Sequence, residues 1–160
     1  MIVVSDSTIL IGLAKIGELN LLRQLFSRIH IPEEVRKEIS PKGKPKPGSK
    51  EIRESKWILA KTVKDQTEVN LLLGSLDKGE AEVLVLAKQL KADLILADEE
   101  KARKVAAIAG FKVMGILGIL LLAKKIGLLE EIKPYIDELQ KKNFRISNRV
   151  IHATLSAAGE

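Results

Sequence analysis

Two short apolar segments of this chain each end on an aspartate, and a helix-like segment follows each. Asp6 comes directly after residues 2–5, and Asp98 comes directly after residues 93–97. Parallel strands of an open α/β sheet direct their carboxyl ends toward a common crevice, where ligands bind. If the two strands are neighbours, these carboxylates face each other and repel unless a proton or a cation lies between them. Hard divalent cations prefer oxygen ligands, so the pattern predicts a metal site.

Strand-like and helix-like segments alternate along the whole chain, which predicts βαβ units and a parallel sheet. Residues 40–49 are predicted to be a loop because they are rich in proline, glycine and lysine. We predict strands over 2–5, 28–31, 57–63, 94–97 and 111–114. We predict helices over 8–25 with a break near Gly17, and over 33–39, 68–73, 77 or 79 to 90, 99–109, 116–126, 129–141 and 148–158.

The length and composition predict a single domain over residues 1–160, with the helices from about residue 116 packed on it. The absence of cysteine excludes disulfides and thiolate metal sites and fits a reducing cytoplasm. No signal-peptide pattern is visible, and the most apolar stretch, 113–123, is about half the length of a spanning helix. We therefore predict a soluble, cytoplasmic protein without a membrane partner. A net charge of +6 favours binding of a polyanion such as nucleic acid.

Several α/β chemistries lack their motifs here. The glycine-rich phosphate loops of dinucleotide-binding and P-loop proteins are missing, as is the G-x-S-x-G nucleophile elbow. The segment Asp6-Ser7-Thr8 lacks the second aspartate of a haloacid-dehalogenase phosphatase. His30 and His152 lie far from other candidate ligands in the sequence, which favours structural or exposed roles. The remaining candidates are carboxylates.

Two glutamates complete the candidate set. Glu38 lies beside a buried stripe formed by Val35 and Ile39, although Glu34, one turn earlier, is a competitor. Glu80 opens a helix that is apolar nearly all round and is therefore buried. Each acid also has a simpler explanation, since Asp is a favoured N-cap and an acid in a first turn complements the helix dipole. Capping does not explain why two acids end apolar strands.

At these residues the chain resembles the PIN-domain family of metal-dependent ribonucleases over nearly its whole length. The segments VVSDSTILIGLAKIGEL, IPEEVRKEI and LDKGEAEVLVLAKQLKADLILADEEKARKVA match the family's motifs in order and spacing. The segments VMGILGILLLAKKIGLL and KNFRISNRVIHATLSAAGE resemble a prokaryotic toxin-like subgroup. The chain departs from this pattern at Ile116, where relatives often carry a hydroxyl residue. Glu99 and Glu100, after Asp98, are open as ligands.

The resemblance implies a three-layer α/β/α sandwich with a parallel five-stranded sheet in the order 3-2-1-4-5. It implies one or two Mg²⁺ or Mn²⁺ ions held by four acids, with Thr8 orienting a ligand or water. It also implies hydrolysis of RNA phosphodiester bonds by a metal-activated water, and it suggests a toxin paired with an antitoxin protein. The four acids are Asp6, Glu38, Glu80 and Asp98.

The alternative functions are a non-catalytic RNA-binding or scaffold protein of the same fold and an unrelated α/β metallophosphatase. We also expect crowded like charges to raise at least one carboxyl pKa. The apolar helix from Ile116 to Ala123 is predicted to bury a partner surface, as in a homodimer, unless the C-terminal helices cover it. A basic group in and after the 40–49 loop is predicted to guide RNA, unless that insertion is only solvated: Lys42, Lys44, Lys46, Lys50, Arg53 and Lys56.

Overall fold

A parallel five-stranded sheet lies at the centre of the protein. The computed structural model describes residues 1–40 and 44–160. The strand order is β3-β2-β1-β4-β5, and every pairing is parallel, as predicted. The strands are β1 (Val3–Ser5), β2 (Ile29–Pro32), β3 (Ile58–Lys61), β4 (Leu94–Leu96) and β5 (Val113–Met114).

Helices cover both faces of the central strands. All three residues of β1 and all three of β4 are buried, although successive side chains point to opposite faces. Continuous burial of this kind is typical of parallel strands packed between two helical layers. The helices are α1 (Ser7–Lys15), α2 (Asn20–Phe26), α3 (Glu33–Ile39), α4 (Ser49–Glu54), α5 (Gln66–Leu72), α6 (Lys78–Leu90), α7 (Glu100–Ile108), α8 (Ile116–Lys125), α9 (Lys133–Lys141) and α10 (Asn148–Ala157).

The longest of these helices, α6, contacts β1, β2 and β4. Seven consecutive residues, from Ala81 to Ala87, are buried, as expected for a helix that is apolar nearly all round. Asp77 is its N-cap and forms a reciprocal capping box with Glu80. The start of α6 is thereby held beside the carboxyl ends of the strands that it contacts.

The apolar helix α8 is covered within the chain. Leu120 is fully buried and Leu117 is only 8% exposed, and the helix contacts α1, α2 and α10. The prediction that this helix forms a partner surface is therefore wrong, and the alternative, coverage within one chain, describes the helix. The Glu160 carboxylate accepts hydrogen bonds from the backbone N–H groups of Ile132 and Lys133, which ties the end of the chain to the start of α9.

One helix was not predicted. Helix α4 follows the proline-rich segment, where the sequence indicated only a loop and its exit. Gly48 has a φ of +82°, and a Cβ atom there would lie 2.5 Å from the Cβ of Ala14, so only glycine allows this approach to α1. Ile52 is then buried at 3% exposure. Among the described residues, no helix has the length and apolar character needed to cross a membrane.

Candidate functional site

Asp6 and Asp98 lie side by side at the carboxyl ends of neighbouring strands. Ser5 of β1 is in register with Leu96 of β4, and the aspartates follow. The backbone N–H of Asp98 donates to Oδ2 of Asp6 at 3.4 Å. The other oxygen, Oδ1, accepts from the N–H of Ile9 at 3.0 Å and caps α1. Asp6 thus serves as an N-cap and also belongs to the crevice, so the two explanations of its position are compatible.

A glycine makes room for the Asp98 carboxylate. Oδ1 of Asp98 accepts from the backbone N–H of Ile116, the first residue of α8, at 3.0 Å. A Cβ atom on Gly115 would lie 2.8 Å from this same oxygen. The contact uses the backbone of Ile116, whose side chain is buried at 1% exposure. An isoleucine at the position where relatives often carry a hydroxyl residue therefore still provides a donor to the acid.

Glu38 is held in the crevice by a hydroxyl and by a second glycine. The Ser7 hydroxyl donates to Oε2 of Glu38 at 2.6 Å. A Cβ atom on Gly79 would lie 2.0 Å from Oε1 of Glu38, so the absence of a side chain there is required for this arrangement. The competitor Glu34 instead forms an ion pair with Lys78 at 3.5 Å.

The Glu80 carboxylate is engaged in helix capping. Its Oε1 accepts from the N–H of Asp77 at 3.0 Å, and Oδ1 of Asp77 accepts from the N–H of Glu80 at 2.8 Å. Glu80 also lines, with Asp6, a small pocket whose other walls are apolar. The capping explanation is therefore confirmed, and the same residue borders the first acid of the crevice.

The pKa values of all four predicted acids are raised. Burial raises the pKa of Asp6 to about 7. The hydrogen bonds from the backbone N–H groups of Ile9 and Asp98 lower this pKa, and the negative charges of Asp98 and Glu38 raise it by smaller amounts. Burial is also the largest cause of the raised pKa values of Glu38, Glu80 and Asp98. The expected rise is confirmed, but like charges are a secondary cause because burial penalises the ionised form first.

Two further acids, Asp77 and Glu99, belong to this charged neighbourhood. The Asp77 carboxylate raises the pKa of Glu38 and of Glu80, after the larger effect of burial on each. The Glu99 carboxylate raises the pKa of Glu80 and Asp98 in the same way. Asp77 was detectable from sequence, since Asp-x-x-Glu before an apolar run is a capping pattern. Gly79, before the apolar run of α6, was a candidate for close approach, but its partner was not identified because Glu38 is distant in sequence. Ser7 carried no such signal.

The donor atoms of the site fit a hard divalent cation. They are all carboxylate oxygens, and Gly79 and Gly115 make room for two of these carboxylates. The family resemblance implies that the four acids share one or two ions. Within residues 1–40 and 44–160, however, no three acidic or histidine side chains approach closely enough to hold one ion. Glu38, Glu80 and Asp98 each accept a hydrogen bond from a different donor: the Ser7 hydroxyl, the Asp77 N–H and the Ile116 N–H.

The remaining predicted site residues are dispersed. Thr8 is exposed on α1, and none of the hydrogen bonds found in the described part of the chain involves its side chain. Lys46 lies close enough to Glu38 for its charge to lower that pKa against the effect of burial. Lys42 lies outside the described residues. The others occupy an exposed segment before α4, the helix itself, or the turn before β3: Lys44, Lys50, Arg53 and Lys56.

A cavity of about 720 Å³ opens next to Asp98, and we call it the Asp98 cavity. Arg103 from α7 and Arg145, which precedes α10, line it together with the Glu100 carboxylate, two hydroxyl residues and apolar side chains. The Arg103 charge lowers the pKa of Asp98, although burial outweighs it. The crevice thus combines one buried and three half-buried acids with neighbouring arginines, an arrangement suited to a phosphate-containing ligand once the acids are neutralised.

Comparison with known proteins gives one family. The model of the family DUF3368, a PIN domain, matches residues 2–160. No curated protein and no solved structure matches the chain significantly. The match extends over nearly the entire sequence, and the parallel sheet in the order 3-2-1-4-5 is consistent with a PIN-like fold. The chain therefore belongs to the PIN-domain family.

Proposed function

We propose that this protein is a metal-dependent ribonuclease that hydrolyses RNA phosphodiester bonds at the Asp6–Asp98 crevice. PIN domains are generally nucleases, and they generally use divalent metal ions. The observation that carries the proposal is the pair of aspartates at adjacent strand ends, linked through the Asp98 N–H. Two such acids beside a cavity with two arginines suit a reaction at a phosphodiester.

Asp6, Glu38, Glu80 and Asp98 would hold Mg²⁺ or Mn²⁺ partly through bound waters, since the described side chains do not converge as a group of three on one ion. When bound, the ion lowers the pKa of an attacking water and stabilises charge on the phosphoryl oxygens. Ser7 orients the Glu38 carboxylate through its hydroxyl. The backbone N–H of Ile116 orients Asp98 in the same way. These bonds from the protein fix the direction of each acid.

The RNA would enter through the Asp98 cavity. Arg103 and Arg145 line that cavity and would bind backbone phosphates, since guanidinium groups match the geometry of phosphate oxygens. Lys46, near Glu38, would contact the strand on the other side of the crevice. Thr8 remains proposed to orient a ligand or water. The other predicted basic residues remain proposed RNA contacts: Lys42, Lys44, Lys50, Arg53 and Lys56.

Cleavage assays with controlled metal ions test this function. Single-stranded RNA, single-stranded DNA and a generic phosphate ester are compared with Mg²⁺, with Mn²⁺ and with a chelator. We expect metal-dependent cleavage of RNA that Asp98→Asn abolishes, whereas Glu130→Gln, an exposed acid far along the chain, keeps it. A folded wild-type protein that binds RNA without cutting it would instead be a non-catalytic PIN domain, and preferential turnover of the ester would indicate a phosphatase.

We further propose that the protein acts in the cytoplasm as the toxin of a toxin–antitoxin pair. The motifs shared with toxin-like PIN proteins support this role. Expression of the wild type should arrest growth, and co-expression of a cognate antitoxin should restore it. Asp98→Asn should be harmless while still binding the antitoxin. Growth unaffected by an RNA-cleaving wild type would contradict the toxin role.

A further inference from the structure

A second cavity lies at the amino-terminal ends of β2 and β3, whereas the acids lie at the carboxyl ends of the strands. It has a volume of about 740 Å³ and is lined in part by Arg28 and Trp57, so we call it the Trp57 cavity. Arg28 directly precedes β2 and Trp57 directly precedes β3. Asp6 and Asp98 follow the ends of their strands. Because all strands are parallel, the Trp57 cavity and the acidic crevice lie at opposite ends of the strands.

The lining of this cavity is positively charged. Arg23, Arg28 and Lys56 face it with one carboxylate, that of Glu54. None of the three cations forms an ion pair in the part of the chain that the structure describes. Burial lowers the pKa of nearby His30, and the charges of Lys61 and Arg28 lower it further. Among the residues that line the cavity, three cations at or near the start of β2 and β3 therefore face the single carboxylate of Glu54.

An aromatic ring stands among these cations. Trp57 is half-buried, and its carbonyl accepts from the N–H of Ile29 at 3.0 Å, which fixes its backbone. The Trp57 side chain packs partly against the hydrophobic core. A half-exposed aromatic side chain provides a face on which a nucleic-acid base can stack, and neighbouring cations bind the phosphates of the same strand. The volume also lies in the usual range of ligand-binding pockets, about 300–1,000 Å³.

The backbone at the rim of the cavity is strained. Ser27 has a φ of 67° and a ψ of −48°, a region that residues other than glycine rarely occupy. The N–H of Arg28 donates to the carbonyl of Phe26 at 2.8 Å, which closes a γ-turn of the rare positive-φ kind. Strain of this kind persists where the surroundings hold it, and it concentrates at functional sites. Here it turns the chain so that Arg28 enters β2 beside Trp57.

We propose that the Trp57 cavity is a second nucleic-acid site, which binds a nucleotide of single-stranded RNA by stacking on Trp57 and by phosphate contacts to Arg23, Arg28 and Lys56. Its identification as a contact for the substrate strand rests on the proposed ribonuclease function. The two sites are separated by about four residues along the strands and by about two strand spacings across the sheet. These two distances combine to roughly 15 Å. One RNA strand passing around the β3 edge would engage both.

Trp57 is the only tryptophan of the chain, so its fluorescence reports this site directly. The Asp98→Asn variant is used so that the RNA is not cleaved during the measurement. Titration of this variant with a single-stranded RNA of about 15 nucleotides should quench the Trp57 fluorescence to saturation, and the affinity should fall as salt is added. Adding Arg23→Gln and Arg28→Gln should raise the Kd at least tenfold. The matched control, Lys141→Gln with Lys142→Gln, removes the same charge from an exposed helix end and should leave the Kd unchanged.

Adenosine monophosphate, inorganic phosphate and double-stranded RNA are titrated in parallel. If the mononucleotide binds with a Kd as low as that of RNA, the assignment of the site to an RNA strand is wrong. If the arginine substitutions leave the Kd for RNA unchanged, the Trp57 cavity is not the binding site. Thermal melts confirm that each variant is folded. If the wild type cleaves no RNA but Trp57 is quenched, the proposed function fails and the site stands. If RNA is cleaved without quenching, the site fails and the ribonuclease stands.

Discussion

At the scale of single residues, the site depends as much on glycines as on acids. Gly79 and Gly115 adjoin the carboxylates of Glu38 and Asp98, and each would clash with its acid if it carried a side chain. Neither glycine has the positive φ that often explains a conserved backbone position in a turn. Their role is therefore to allow close approach, a property that becomes visible only when the partner acid is placed beside them.

Gly79→Ala is expected to impair activity without unfolding the protein. The new Cβ would displace the flexible end of Glu38 and break its hydrogen bond from Ser7. Alanine favours a helix over glycine by up to about 1 kcal/mol, which offsets part of the strain. RNA cleavage should fall at least tenfold with the melting temperature nearly unchanged. Gly74→Ala is the control, since its Cβ would meet nothing within 4 Å. Full activity in Gly79→Ala would exclude a catalytic role for the position of Glu38.

The pKa of Asp6 gives a defined dependence of stability on pH. Because its folded pKa of about 7 lies above the ordinary 3.8, the folded state binds the extra proton between these values. The free energy of unfolding should therefore fall as pH rises from about 4 to about 7 in metal-free buffer, by a few kcal/mol in order of magnitude. Asp6→Asn removes the ionisation, so urea unfolding should show a flatter pH profile and a more stable protein at pH 8. Identical profiles for the variant and the wild type would contradict the raised pKa.

At the scale of elements, helix α8 shows how a strongly apolar segment can be ordinary core. Its composition suggested more apolar surface than one chain could cover. In the structure, α1, α2 and α10 surround it, and the carboxylate of Glu160 pairs with Lys124 at its end. The same helix directs its first backbone N–H at Asp98. It therefore joins the core to the site.

Leu120→Ala should destabilise the monomer. Leu120 is fully buried, so loss of its side chain leaves a cavity that costs about 2–5 kcal/mol in the free energy of unfolding. Leu71→Ala, at a site 79% exposed, should change it by less than about 0.5 kcal/mol. Denaturant unfolding and light scattering measure the two effects. A stable Leu120→Ala protein with an altered oligomeric state would restore the interpretation of α8 as a partner surface.

At the scale of the whole molecule, charge is separated between an acidic crevice and a basic exterior. The net charge of +6 coexists with raised carboxyl pKa values at the strand ends. Such a protein attracts RNA by its surface, while the buried acids favour neutralisation by a proton or a cation.

Millimolar Mn²⁺ should therefore raise the melting temperature. A ligand that binds only the folded state stabilises it by about 2.7 kcal/mol when its concentration is a hundred times its Kd. For a chain of this size, that corresponds to a shift on the order of 5–10 °C. Asp98→Asn should reduce the shift, and NaCl at equal ionic strength serves as the control. An unchanged melting curve would count against a metal site in the folded protein.

The sequence by itself determined the fold class, the strand order through the family motifs, and the acids at the strand ends. The fold class and the strand-end acids rest on local patterns, because apolar periodicity and strand-end acids are written in consecutive residues. The strand order rests on the resemblance to the family. Only the tertiary structure decided that α4 forms, that α8 is buried, and that Ser7 and Gly79 serve Glu38. It also separated Lys56 from the acidic crevice and placed it with Arg28 and Trp57. These outcomes depend on contacts between residues distant in sequence, and no local pattern encodes which distant surfaces meet.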